Sequence, residues 1–344
     1  MKAYVFSAWE QNASLVEVDK PEPGHGEVLI KVGGAGACHS DLHIMHEWTP
    51  DNFPSVASWE LPFTLGHENA GWIESGDIPP GMEAGMPVVI SPTWSCGVCN
   101  PCRGSETNYC EQEPVHAGGL GRNGGLAEYL VAPADTLIAL DKLEPWQAAP
   151  LTDAGLTSYH AVRRVLPVLY PGSVVVVIGI GGLGHLAVEY LRELSGSTII
   201  AVDHSEAALQ MASDLGAHIC LPSDGNTAAA VLKATRGLGV MAVLDFVGID
   251  ATMQMAAQVV RKRGQVVVAG LGGGVLPFHV GALPFGCALS MVLGGSTREL
   301  TEVVALAEAG RIHPHIEKFS LDQVDEVYRK LENHEIKGRA VLIP

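Results

Sequence analysis

Basic residues are scarce in this chain. Lys and Arg number 21 against 38 Asp and Glu, which gives a formal charge of −17 at neutral pH. Nucleic acid and anionic membrane are therefore not expected as partners, because both need a basic face. Long apolar runs are missing too. The most apolar window, residues 174–188, is broken by Gly179, Gly181, Gly182, Gly184 and His185 and is too short to span a bilayer. The opening residues, MKAYVFSAWEQN, hold no apolar stretch followed by a small-residue cleavage site, so no export signal is expected. Phe occurs seven times against 40 Gly. Packing should therefore rest on Val, Ala and Leu, with many tight turns. There is no repeat at a solenoid period and no low-complexity segment. A length of 344 residues favours two domains.

Cysteine is also sparse, but it is clustered. Four of the seven, Cys96, Cys99, Cys102 and Cys110, fall within fifteen residues. Four thiolates on one short lobe, here 94–112, can close a tetrahedral shell around Zn²⁺ with no open position, which makes a structural site. An iron–sulfur run starts in the same way, but it places its fourth cysteine after three residues and a proline behind it. Here the gap is seven and Glu111 follows. A nucleic-acid-binding zinc module is opposed by the acidic charge and the single flanking Arg103. Cys220 and Cys287 stand alone in apolar surroundings and are expected to be buried, inert thiols. Clustered metal-type cysteines without an export signal fit a reducing cytoplasm.

Residues 1 to about 150 read as short strands separated by turns, with β-like runs at 2–6, 15–18, 28–32, 88–90 and 126–131. This is an antiparallel, loop-rich region. From about residue 172 aliphatic strands alternate with helical spacing. The strands are expected at 173–178, 198–202, 218–221, 242–246 and 266–269, and the helices at 182–194, 206–215, 227–235 and 251–260. Such alternation of apolar strands with helices means a parallel sheet covered on both faces. A helix at 299–309, mixed structure and a strand-like run at 336–343 follow.

Gly179-Ile-Gly181-Gly182-Leu183-Gly184 lies between the first aliphatic strand and its helix. That context turns a common glycine-rich turn into a dinucleotide fingerprint. The glycines allow close approach of backbone to pyrophosphate, and the helix N-terminus faces the negative charge. Asp203 closes the second strand nineteen residues past Gly184, and no arginine follows it. A carboxylate there can bond ribose hydroxyls and would repel a 2′-phosphate, which favours NAD over NADP. The same aspartate could equally cap the next helix.

Two further segments complete the pattern: Cys38-His-Ser-Asp-Leu-His43, placed in a loop after a glycine-rich stretch, and Gly66-His67-Glu68-Asn-Ala-Gly71. Together the motifs resemble the zinc-dependent alcohol dehydrogenases of the medium-chain dehydrogenase/reductase family, especially the bacterial secondary-alcohol branch. The carriers are CHSDLH at 38–43, GHENAG at 66–71, the four-cysteine lobe, LTDAGLTSYHA at 151–161, GIGGLG at 179–184 and KGRAVLI at 337–343. The resemblance runs through essentially the whole chain. It implies an α/β protein with a GroES-like, mainly antiparallel β catalytic domain at 1–153 and 293–344. The second domain, at 154–292, would be a Rossmann NAD-binding domain with a doubly wound parallel sheet.

The resemblance also implies two zinc ions per chain, one structural and one catalytic. Cys38, His67 and Asp153 would hold the catalytic ion, with Glu68 a possible further ligand. Asp153 stands where many relatives carry a second cysteine. It keeps the ligand charge but offers a harder oxygen donor. Asp41 would hold the other ring nitrogen of His67. Ser40 would take the alcohol proton and His43 would deliver it to solvent. His39 and Arg339 match positions near the cofactor pyrophosphate. Trp48, Phe53, Trp59, Trp94 and Leu120 are candidates to line the substrate pocket. The expected reaction is hydride transfer between NAD and apolar alcohols, secondary ones on the resemblance alone, with the matching ketones or aldehydes. Polyol or other hydroxy-compound oxidation on the same fold is the rival. A non-catalytic zinc-binding protein is the alternative from another class. A homo-oligomer is implied, a tetramer ahead of a dimer.

Overall fold

The computed structural model describes residues 1–112 and 116–344. The chain forms two compact units, Met1–Leu156 with Gly294–Pro344, and Thr157–Leu293. Among the described residues no helix is long and apolar enough to cross a membrane.

The discontinuous unit is built on a seven-stranded sheet around the strand Glu27–Ala37. One edge of that strand pairs antiparallel with Glu68–Gly76. The other edge pairs with Tyr129–Pro133 along its first half and with Arg339–Ile343 along its end. Ile316–Ser320 adds on parallel to Arg339–Ile343. Lys2–Phe6, Ser14–Glu17 and Phe63–Thr64 form a second, three-stranded sheet. Tyr4, Phe6, Ile30, Ile44, Leu65, Leu126 and Leu130 share one core with Val327 and Leu331 of the helix Val324–Glu332.

Alternation in the sequence locates only 28–32 of the central strand. Its second half, Val-Gly-Gly-Ala-Gly-Ala, carries no alternation because it has almost no side chains. It is a strand because neighbours press on it: a Cβ on Gly36 would lie 1.8 Å from the Glu68 carboxylate. The segment after it corrects a second expectation. His39–His46 is a helix, not a loop. Cys38 caps it in an extended conformation, and the Asp41 carboxylate accepts the Cys38 backbone N–H at 3.0 Å. This closes the first turn as a capping box does. The strand Ile316–Ser320 and the helix Val324–Glu332 emerge where the sequence offered only mixed structure.

The continuous unit is a six-stranded parallel sheet. Its order is Ile219–Pro222, Thr198–Asp203, Val174–Ile178, Val240–Asp245, Val260–Val268, Ala288–Met291. Every pairing is parallel, and the order reverses beside Val174–Ile178 as in a doubly wound fold. Helices Gly184–Leu194 and Glu206–Asp214 pack together, as do Thr227–Ala234 and Asp250–Val259. Cys220 and Cys287 are half-buried rather than buried, because both lie in outer strands or next to them.

Candidate active site and metal centres

Three side chains far apart in sequence meet in the discontinuous unit. Cys38 caps a helix, His67 precedes the strand Glu68–Gly76, and Asp153 precedes the helix that begins at Ala154. Their ligand atoms all lie within 4.8 Å of one another. Cys38 Sγ and His67 Nε2 are each 3.5 Å from Asp153 Oδ2. Cys38 and His67 are 6% and 3% exposed. A thiolate, an imidazole and a carboxylate at this spacing fit Zn²⁺, and two negative ligands neutralise it. Burial opposes charge on His67, yet Asp41, Asp153 and Cys38 outweigh it and raise the imidazole well above its ordinary value. The pocket favours positive charge at its centre.

The partners beneath these ligands are specific. His67 Nδ1 faces Asp41 Oδ1 at 3.2 Å, as expected for the group that orients the ring. Glu68 is not among the three grouped ligands. Its Oε1 accepts from Arg339 Nη2 at 2.5 Å and from the Ala154 N–H at 3.0 Å, and its Oε2 accepts from Arg339 Nε at 3.3 Å. Burial pushes the Glu68 carboxyl up to about 7 against the pull of Arg339. Arg339, expected at the cofactor pyrophosphate, is 3% exposed and faces Glu68, with Asp153 Oδ2 at 3.8 Å. Its guanidinium belongs to the ion pair beneath the ligands.

Ser40 Oγ lies 3.6 Å from Cys38 Sγ. His43 stacks on Trp48 at 5.6 Å, Trp48 stacks on Phe53 at 4.4 Å, and His43 Nδ1 meets Glu47 Oε2 at 2.8 Å. His39 is exposed, and its ring stacks on His334 at 6.1 Å. Trp94 and Leu120 are partly buried against the core. Trp59 is 6% exposed and packs in the core between Trp9 and Phe63. Asn69 and Thr152 were not foreseen. The Thr152 hydroxyl accepts the Asn69 N–H at 3.2 Å, and the Asn69 amide donates to the Gly66 carbonyl at 3.0 Å, bracing the turn that carries His67.

Cys96, Cys99, Cys102 and Cys110 form the second group, and none of the four is in a disulfide. Tetrahedral zinc–sulfur bonds of about 2.3 Å set sulfurs roughly 3.8 Å apart. The sulfurs here stand 3.3 Å (Cys99–Cys102), 4.0 Å (Cys96–Cys102) and 4.0 Å (Cys99–Cys110) apart. Backbone N–H groups of Cys96 and Cys99 point at the Cys110 and Cys96 sulfurs, each at 3.4 Å. The lobe therefore fits a closed zinc shell.

In the parallel unit, Gly179 follows the first strand with φ +83°, and Gly184 opens the helix. A Cβ on Gly184 would meet the Gly179 carbonyl oxygen at 1.8 Å, so the fold itself demands that glycine. Gly181 differs, because a Cβ there meets nothing within 4 Å. Gly182 and Leu183 complete the turn. Asp203 is 8% exposed; its Oδ2 accepts the Ile180 N–H at 2.7 Å and its Oδ1 the Ser205 N–H at 2.8 Å. It ties the glycine loop to the second strand.

Comparison with known proteins agrees with this geometry. Residues 24–142 match the family model for the alcohol dehydrogenase GroES-like domain, and 182–309 match that for zinc-binding dehydrogenases. The chain is 36% identical to an NAD-dependent alcohol dehydrogenase of Sulfurisphaera tokodaii, with 96% of each chain covered. It is 34% identical to the D-arabinose 1-dehydrogenase (NADP(+)) of Saccharolobus solfataricus, over 100% of this chain and 97% of that one. The crystal structure of the alcohol dehydrogenase from Aeropyrum pernix superposes with a TM-score of 0.92 at 34% identity, covering 100% of both chains. A chain with this sheet order, these two domain matches and these full-length relatives belongs to the zinc-dependent alcohol dehydrogenases of the medium-chain dehydrogenase/reductase family.

Proposed function

We propose that this protein transfers hydride between NAD(H) and apolar, secondary alcohols and their ketones, with one reactive and one structural zinc per chain. The convergence of Cys38, His67 and Asp153 from three separate segments carries the reading. When bound, zinc supplies Lewis acidity that makes a hydroxyl group more acidic, as it lowers the pKa of water to about 7. Ser40, beside Cys38, takes the substrate proton. His43 hands it to water and is held by Glu47 and Trp48. Asp41 fixes the His67 ring, and Arg339 holds Glu68 away from the ligand group. The four-cysteine lobe keeps the structural ion. The catalytic machinery is assigned to the unit Met1–Leu156 with Gly294–Pro344, and coenzyme binding to Thr157–Leu293.

Asp203 supports NAD, since its carboxylate closes the second strand where a 2′-phosphate would meet negative charge. Trp48 and Phe53 beside His43 support an apolar substrate. The D-arabinose relative keeps the polyol and sugar reading in play. A homo-oligomer, tetramer ahead of dimer, is supported by Phe278, Val280, Phe285 and Met291, which are 67–99% exposed around the edge strand Ala288–Met291. Cysteines without a disulfide among the described residues support the cytoplasm.

The test is a coenzyme-linked screen of 2-alcohols, ketones, sorbitol and D-arabinose with both NAD and NADP, with metal analysis of the same sample. About two zinc per chain and a preference for 2-alcohols with NAD are expected. A preference for sugars or polyols, or full turnover after removal of the metal held by Cys38, would refute the proposal.

A further inference from the structure

The Asp41 carboxylate is 0% exposed. A buried carboxylate is costly unless donors surround it. Its Oδ2 accepts the Cys38 backbone N–H at 3.0 Å and the Tyr328 hydroxyl at 2.8 Å. Its Oδ1 faces His67 Nδ1 at 3.2 Å. The two oxygens thus divide their work: one is anchored twice, and the other is left for the histidine. Tyr328 comes from the helix Val324–Glu332, 287 positions from Asp41. It is clamped as well. Its ring is 4% exposed and stacks on Tyr4 at 5.7 Å, while the Tyr4 hydroxyl donates to Asp325 on the same helix at 2.8 Å.

We infer that Tyr328 is a positioning residue of the reactive-metal site, its hydroxyl holding Asp41 so that Asp41 holds the His67 ring. The inference rests on the reading that Cys38, His67 and Asp153 bind zinc. Packing alone does not account for the hydroxyl: Phe would fill the same stack, whereas the oxygen is directed at a carboxylate that already has one anchor. Without it, Asp41 can rotate about its remaining bond and the His67 ring loosens. Losing a carboxylate partner of a zinc-bound histidine typically costs 10–100-fold in metal affinity. Tyr328 acts one bond further out, so a loss of about 5–10-fold follows from the same scale.

The experiment follows zinc transfer from full-length holoenzyme to a chromogenic chelator in wild type, Tyr328→Phe, Tyr4→Phe, Asp41→Asn and the double variant Y328F/D41N. It is paired with absorption spectra after cobalt replaces the reactive zinc. In Y328F one zinc should leave about 5–10-fold faster, the other should leave at the wild-type rate, and the thiolate–cobalt band should shift. Y4F, which loses a hydroxyl in the same stack without touching Asp41, should release zinc as wild type does even if it melts earlier. Y328F should add nothing to D41N, because both act through one carboxylate. If Y328F keeps wild-type release and an unmoved cobalt band while D41N releases one zinc faster, Tyr328 only packs and the inference is wrong. If D41N is also silent, or wild type holds a single zinc, the three-ligand reading has failed and this inference falls with it.

Discussion

Replacing Gly36 by Ala tests the ion pair beneath the ligands without touching a ligand. The new methyl would stand 1.8 Å from Glu68 Oε2, 2.7 Å from Cδ and 2.8 Å from Cβ. The backbone cannot retreat, because Gly36 is paired with Glu68 on one side and Val341 on the other. Glu68 must therefore move by more than an ångström. It is 0% exposed, so moving breaks its bonds to Arg339 and the Ala154 N–H without reaching water. Breaking a buried ion pair costs about 3–5 kcal/mol. For a cooperative unit of this size each kcal/mol shifts melting by about 2–4 °C, so a fall of roughly 6–20 °C is expected. Differential scanning calorimetry of the two holoproteins reads this directly, with the transition of the parallel unit as internal reference. A Gly36→Ala protein melting within a degree of wild type would show that Glu68 has room to yield, and the reasoning would be wrong.

Gly181→Ala should leave melting unchanged, since a Cβ there meets nothing within 4 Å, yet raise the Kd for NAD at least about 10-fold by crowding the pyrophosphate; equal affinity by fluorescence titration would remove the loop from coenzyme binding. Cys99→Ser should lose one zinc per chain and destabilise the lobe, while zinc at Cys38 stays; a thermally unchanged protein with two zinc ions would contradict the closed shell. Glu308 accepts the backbone N–H groups of Asp141, Lys142 and Leu143 at 2.9, 2.9 and 3.3 Å. Burial pushes its carboxyl up, but these three donors prevail and hold it below its ordinary value. A lowered folded value means stability that is complete above the unfolded value of about 4.3 and lost as pH falls through the folded one. Glu308→Gln should therefore melt below wild type at pH 6–7, and the gap should close below about pH 4; a gap that persists in acid would show that packing, not charge, matters there.

Local chemistry was the legible part of this sequence. Cys96 to Cys110 and the glycine turn at 179–184 are short segments whose chemistry is suggested by spacing alone; the four thiols do meet, and Gly184 does open the helix. Alternation and helical periodicity located most of the parallel unit because its central strands bury continuous apolar runs, whereas the edge strand Ala288–Met291, exposed at three of its four residues, carries no such signal. The hidden parts depend on distant partners. The strand Glu27–Ala37 runs through glycines whose reason is Glu68, and the helix His39–His46 depends on a cap formed by Asp41. The resemblance places Arg339 near the coenzyme pyrophosphate; only the fold shows the Glu68 carboxylate paired with it. Tyr328 and Asp41 are 287 residues apart, and no window of sequence joins them.

The strand Arg339–Ile343 is among the last segments of this chain, yet it lies inside its sheet, between Glu27–Ala37 and Ile316–Ser320. During synthesis the first 300 residues must wait on the ribosome with that slot open. At the usual rate of about 5–20 residues per second, the wait lasts tens of seconds. Cys38, His67 and Asp153 are thus translated long before Arg339, the partner of Glu68 beneath them, can enter the sheet.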